Sequence, residues 1–319
     1  MESFCESIIY YPRSSGFIHN LSFLPYVVNT RRSKNILKNL LQNDYPIFFD
    51  GLHTTKYLDH PSLVERKKFI RAHNIEHLYY RNLSHYEPNI VKKLYFRLES
   101  FKLKLYEKIL HRADCVFAIS DREQEYFNNE YHNSAFLAPF HPFDKAEYLS
   151  EFGDYILYHG DLSVNENIAV IDSLIRGVFS KVSYPCIIAG KNPQKNILNE
   201  ALRYSNIKIV SNPDDNEMKE LIFNAHVQVL TGLASNGFKL KLLIALHAGR
   251  HCIVNQAVVE GTKLSSLCHL TTSNKEITEK IHQLMKIRFT EAMFLKRTKM
   301  LSEDFNNKTN GVKLINLIY

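Results

Sequence analysis

The sequence predicts an α/β protein of two doubly wound domains, each a parallel sheet wrapped by helices. Two observations carry that expectation. Short, near-continuous apolar runs alternate with helical patterns through the second half of the chain, which marks βαβ units and a sheet buried on both faces. The first half repeats the rhythm less cleanly. A length of 319 residues suits about two domains and is enough to bury a core without disulfides or metals.

In the second half, Asp154–Asp161 is a strand-like run whose apolar part ends at Gly160. Ser163 and Glu166 have capping-box spacing and precede the helical pattern Ile168, Val170, Ile171, Leu174, Ile175, Val178. Tyr184–Gly190 is a second strand, a helix follows around Ile197–Arg203, and Ile207–Val210 is a third strand. Pro213–Glu217 opens a helix that runs toward Ala225. Val227–Leu230 is the fourth strand, Lys239–Ala248 a helix closed by Gly249, and His251–Asn255 the fifth strand. Right-handed crossovers make such a series doubly wound.

In the first half, Pro46–Asp50, Lys68–Ala72, Cys115–Ser120 and Ala135–Ala138 read as strands, and a long amphipathic helix fills Pro88–Arg112. Ile8–Tyr11 has the content of a strand, but no Gly-rich turn and helix follow it, so this domain is expected to be abbreviated. Pro139–Phe143 interrupts the pattern and is the expected linker.

Hydrophobic content of 45% and charged content of 23% exclude a disordered chain. Forty Lys+Arg against thirty-three Asp+Glu give a net charge of +7, which favours anionic partners. The basic residues are spread along the chain, so nucleic acid is not expected as a partner. Of five cysteines without a C-x-x-C pair, four sit in apolar, strand-like runs and read as buried thiols, which suits a reducing compartment. No apolar run has the length of a membrane span, and the first residues lack a signal-peptide pattern. A cytoplasmic protein is expected, with peripheral contact with a membrane left open.

Ligands of open α/β sheets sit beyond the carboxyl ends of the strands. In the first half those ends carry Asp50-Gly51-Leu52-His53, Arg71 with His73-Asn74, and Ser120-Asp121. His53, Arg71, His73, Asn74 and Ser120 are therefore the candidate site residues there. His73, Glu76 and His77 also spell H-x-x-E-H, which on a helix would bind zinc for a metallopeptidase. His73 falls at a strand end, however, and no third ligand is evident. The alternatives are a His that caps the strand and a His that serves a substrate hydroxyl.

Thr231–Gly249 is the most informative segment: a strand, a Gly-containing loop, then a helix. Free N–H groups and the positive end of the helix dipole would point at a ligand there. Gly237 lets the backbone approach, Phe238 lies between it and the helix, and Lys239 and Lys241 add charge, which suits a diphosphate. An ordinary βα turn with solvated lysines remains the plain alternative. Gly160 lies at a second such turn. His159 reads as structural, and Glu260, after the fifth strand, either accepts hydrogen bonds from sugar hydroxyls or is a loop residue.

Taken together, YHGDLSVNENIAVIDSLI, YPCIIAG, SNGFKLKLLIALHAGRHCIVN and VVEGT, with RAHNIEHLYYRNL and CVFAISDREQEYF in the first half, resemble the GT-B glycosyltransferases of the retaining group-1 (family 4) type. The resemblance implies two Rossmann-like domains facing across a cleft: an acceptor-side domain over 1–143, a nucleotide-sugar-binding domain over 144–300, and a C-terminal helix over 301–319 returning toward the first. It implies transfer from a nucleotide diphosphate sugar to a glycan or lipid-linked acceptor, as in polysaccharide biosynthesis, with retention and with no metal or other cofactor. His73 matches the family's cleft histidine near the donor sugar. Two departures stand out. The family's E-x7-E carboxylates would fall at Asn236 and Ile244, and the usual Arg and Lys are missing from Gly160–Asn167, leaving Lys239 and Lys241 in their place. A non-catalytic binding or assembly relative, and a sugar-nucleotide epimerase of the same architecture, are the other readings.

Overall fold

The computed structural model describes residues 5–143, 145–233 and 237–319. The chain forms two units. One holds the residues up to His85, Asn89–Leu137 and Ile315–Tyr319, and the other holds Tyr86–Pro88 and Ala138–Leu314.

In the first unit α1 (Tyr26–Asn29) and α2 (Lys34–Leu40) precede β1 (Ile47–Asp50). Then come β2 (Lys68–Arg71), α3 (Glu76–Tyr86), α4 (Ile90–Tyr106), β3 (Cys115–Ala118), α5 (Asp121–Tyr131) and β4 (Ser134–Phe136). The strands are parallel in the order β1-β2-β3-β4. Ile47 and Phe49 of β1 point into a core with Ile70, Leu103, Val116 and Phe127. On the opposite face Phe117 stacks on both Phe48 and Phe69, at 6.0 Å in each case. Ile8–Tyr11 joins no strand of this sheet. The chain that follows it is tied instead to the end of α1, through Ser14 N–H and the Arg13 guanidinium on Thr30. The expected Pro88–Arg112 helix is α4, capped by Asn89, with its last part tightened into a 3-10 turn over Glu107–Arg112.

The second unit runs β5 (Tyr155–Asp161), α6 (Asn165–Gly177), β6 (Cys186–Lys191), α7 (Lys195–Ala201), β7 (Ile207–Ser211), α8 (Asp215–Asn224) and β8 (Ala225–Leu230). It continues with α9 (Leu240–Ala248), β9 (His251–Val254), α10 (Gln256–Val259), β10 (His269–Leu270) and α11 (Asn274–Leu284). All strands are parallel, in the order β10-β9-β8-β5-β6-β7. β5 is central: the chain winds outward through β6 and β7, then returns to lay β8, β9 and β10 on the other side. That reversal leaves a crevice at the carboxyl ends of β5 and β8. Ile156 and Tyr158 of β5 pack with Ile171, Leu174 and Ile175 of α6, while Leu157 faces Ile222 and Ala248 on the other side.

Two expectations need correcting. The Ser163 box does not form, because the Ser163 hydroxyl donates to Asp161 Oδ1 at 2.6 Å and α6 starts behind Val164 without a side-chain cap. The reciprocal box sits on α8, between Asp214 and Glu217. Leu301 does not open a helix either. It lies inside α12 (Glu291–Asp304), and α13 (Asn307–Ile318) follows after a break.

Gly190 and Gly160 stand side by side on β6 and β5, and a Cβ on Gly190 would meet the Gly160 carbonyl oxygen at 1.8 Å. Backbone atoms cannot yield as a flexible side chain can. Gly190→Ala is therefore expected to cost roughly 2–4 kcal/mol of stability, read as a fall in melting temperature; an unchanged melt would contradict this packing.

Candidate functional site

In the second unit the crevice is framed by the ends of β5 and β8. Asn255 holds the segment after β8 by accepting from Gly232 N–H at 3.1 Å and donating to Gly232 O at 2.7 Å. On the other side Glu166 of α6 accepts from Leu233 N–H at 3.3 Å. Thr231, Gly232, Asn255 and Thr271 also line a small pocket of about 120 Å³ between α6 and α11. Gly237 is in a left-handed conformation with φ 63°, and the chain enters α9 through Lys239.

The start of α9 differs from the helices that Asn89, Ser120, Asp214, Ser273 and Thr290 cap. Its cap residue is Lys239, whose side chain accepts no hydrogen bond from the helix, and no acidic residue lies in the first turn. Backbone carbonyls take part of that turn, Leu240 N–H donating to Phe238 O at 3.1 Å and Leu242 N–H to Lys239 O at 2.8 Å, and the positive end of the helix dipole has no acidic side chain in the turn to offset it. Lys241 adds to it. Its ammonium lies 5.0 Å from the Tyr158 ring centre. Burial and then Lys239 push its pKa down to about 8, with Glu166 opposing. A lysine held that low marks a site where an anion would be welcome. Beneath it, burial and then the Lys241 charge push His159 down to about 3, so His159 is a neutral core residue.

The other expected residues of this unit fall as follows. Gly160 lies within β5 itself. The Phe238 side chain is buried against the Phe305 ring, 5.5 Å between centres, so only its backbone can serve a ligand. Glu260 is exposed at the end of α10, its N–H donating to Gln256 O. Ile244, on α9, packs into the core around Leu157 and Ala248. Asn236 lies outside the described residues.

In the first unit the ends of β1 and β2 bring His53, Arg71 and His73 together around Gly51. Gly51 has φ 92°, and a Cβ there would meet the His53 ring at 2.5 Å and the His73 ring at 3.2 Å. His73 Nε2 donates to Asp50 Oδ1 at 2.8 Å, with both side chains open to solvent. A neutral His73 so fixed keeps its Nδ1 lone pair for a hydroxyl donor. Burial, then Arg31, push His53 down to about 4. Arg71 is buried opposite Asp50 in the β1–β2 register. Burial lowers it to about 10 against the pull of Asp50 and Glu123, so it stays charged near neutrality. Asn74 is half-buried in the bend before α3.

Ser120 serves the helix that follows it rather than a ligand. It caps α5, accepting from Glu123 N–H at 3.2 Å and donating to the Glu123 carboxylate at 3.1 Å. The H-x-x-E-H reading fails on geometry. α3 begins at Glu76, so His73 precedes the helix, and His77 turns inward to donate to Glu107 at 2.6 Å. Among the described residues no three His, Cys, Asp or Glu gather to hold a metal.

A feature without a motif lies beside this group. A cavity of about 540 Å³ opens between β1, α2 and residues 9–13, with Tyr10, Ile36 and Phe48 on its walls and Arg13, Arg31 and Asp50 also lining it. Burial and the nearby Arg13 lower the Arg31 pKa, so the two guanidiniums feel one another. Nothing in the sequence joins positions 13, 31 and 50. The turn from Ser14 to Thr30 brings them together.

No protein-family model matches the chain. In sequence it is 24% identical over 294 residues to an uncharacterized 44.6 kDa protein in the cps region of Klebsiella pneumoniae, covering 87% of this chain and 75% of that one. Among solved structures it is similar to the UDP-forming α,α-trehalose-phosphate synthase of Burkholderia vietnamiensis, with TM-score 0.66 and 10% identity over 92% of this chain and 76% of that one. It is also similar to Anabaena HepE in complex with UDP and glucose, with TM-score 0.63 and 14% identity over 94% and 82%. A third is S. aureus TarM in complex with UDP, with TM-score 0.64 and 12% identity, of which this chain spans 59%. The fold is thus that of the GT-B glycosyltransferases, two parallel-sheet α/β domains.

The low Lys241 pKa gives the site a pH signature. Sulfate keeps its charge near neutrality, whereas Lys241 loses its proton as pH rises through about 8. Sulfate affinity measured by calorimetry should therefore fall from about pH 7 to about pH 9, and Lys241→Met should weaken binding and flatten the fall. A pH-independent affinity in the native chain would contradict the assignment.

Proposed function

We propose that the protein is a glycosyltransferase that moves a sugar from a nucleotide diphosphate sugar to a glycan or lipid-linked acceptor. The observation that carries this reading is the lysine-flanked start of α9, with no acidic residue in its first turn, at the β5/β8 reversal. A diphosphate placed there receives the first-turn N–H groups together with Lys239 and Lys241. Gly160 and Gly237 leave room for it, and Glu260 is assigned to a sugar or ribose hydroxyl. The complexes of HepE and TarM with UDP support a uridine nucleotide.

Charge develops on the diphosphate as it leaves. Fixed N–H groups and lysines stabilise that charge without reorganising, which supports transfer without a metal. The first unit is assigned to the acceptor, with Arg71, His53 and Asn74 around His73. His73, held by Asp50, accepts from a sugar hydroxyl through Nδ1. Retention of configuration is part of the proposal and rests on the family resemblance.

A second reading, a nucleotide-sugar-binding protein that does not transfer, is favoured by Ile244, an apolar core residue where the resemblance expects a carboxylate. Calorimetry with UDP and a transfer assay over UDP-sugars separate the two. Transfer is expected, with His73→Ala lowering turnover by about 100-fold and leaving UDP affinity unchanged. UDP binding without transfer to any acceptor supports the second reading. No heat with UDP, or full turnover in His73→Ala, contradicts the first.

A further inference from the structure

The helix α4 has two apolar faces, and the core uses only one. Leu103 is fully buried in the first unit. Ile90, Leu94, Leu98, Phe101 and Leu105 follow one another at spacings of four and three, so they form a single stripe, and all are exposed, Phe101 by 61%. A stripe of this kind on a soluble surface marks a contact site.

A second exposed element adjoins it. The 3-10 turn Phe17–Leu21 presents Phe17, Ile18 and Leu21, and Phe23 beyond it is 99% exposed. This segment is tied to α4 by two buried side chains. Lys102 Nζ donates to Asn20 O at 2.8 Å, and Glu99 accepts from Tyr26 N–H at 2.6 Å. The aromatic turn is thus anchored directly on the helix that carries the stripe.

Charge says what covers it. Arg97, Lys104 and Lys108 are exposed and stand one helical turn from Phe101 and Leu105, along the edge of the stripe. The carboxylates of the same stretch are withdrawn: Glu99 and Glu107 are 0% and 1% exposed, held by Lys102 and His77. We infer that this face of α4, with the Phe17–Phe23 turn, docks on an anionic lipid bilayer, the apolar side chains entering the acyl boundary and the basic edge meeting the headgroups. No helix of the described residues is long and apolar enough to cross a membrane; the contact proposed is one of lying on the surface. This inference goes beyond the transfer reading and does not depend on it: a chain that bound no nucleotide would still dock.

Flotation of the full chain with vesicles tests it. Binding is expected to vesicles of phosphatidylglycerol and phosphatidylcholine in equal parts, and to be far weaker with phosphatidylcholine alone. The paired substitution Leu94→Gln and Phe101→Gln should lower the bound fraction at least about tenfold at an unchanged melting temperature. Arg97→Glu with Lys104→Glu should remove the preference for the anionic lipid, and decides the matter should the first variant fail to fold. The inference is overturned if the native chain stays in solution with both vesicles, or if a folded apolar variant floats as well as the native chain. It is also overturned if the native chain is a dimer that those apolar substitutions dissociate.

Discussion

A helix whose first turn holds no acidic side chain leaves the positive end of its dipole to an external anion, and α9 starts in that way at the crevice of the second unit. Several features follow from this one constraint. Lys239 stands where Ser, Thr, Asp or Asn caps other helices of the chain, so the end of the dipole and two ammonium groups gather in one place. The cost is visible in the depressed Lys241, and Glu166 only partly offsets it. The surrounding bonds serve to hold this arrangement: Asn255 clamps Gly232 on one side and Glu166 holds Leu233 on the other.

Position comes from topology. Because β5 is central and the chain reverses between it and β8, the start of α9 falls at the gap that the winding order opens in that sheet's carboxyl edge. The close approach of Gly160 and Gly190 keeps that edge free of side chains next to the gap. In the first unit the same principle places Asp50 and His73 at adjacent strand ends, where one hydrogen bond orients the imidazole.

Much of this was legible in the sequence because burial on both faces of a parallel sheet leaves an unmistakable apolar run. DYILYHGD, YPCIIAG and the strand at Val227–Leu230 all mark strands of the second unit. β10 escaped notice because two residues carry no pattern. Spacing alone misassigned the capping box: Ser163 has the right interval to Glu166, but Asp161 takes its hydroxyl. Position in the chain places Phe238 and Ser120 at the loop and the strand end, but only the structure shows that their side chains pack and cap. The Arg13–Arg31 cavity and the Asp50–His73 bond were out of reach, because each joins positions that only the folded chain brings together. For α4 the sequence shows an amphipathic helix. Only the structure shows that its exposed side is apolar too.

The central claim, that α9 begins as an anion-binding terminus, is tested most directly by following backbone amides in the isotope-labelled protein as UDP is added. The account predicts the largest chemical-shift changes at Lys239 and Lys241, with smaller ones at Gly160 and Gly232. Saturable UDP binding that leaves those amides unmoved, and shifts another part of either unit instead, would contradict it.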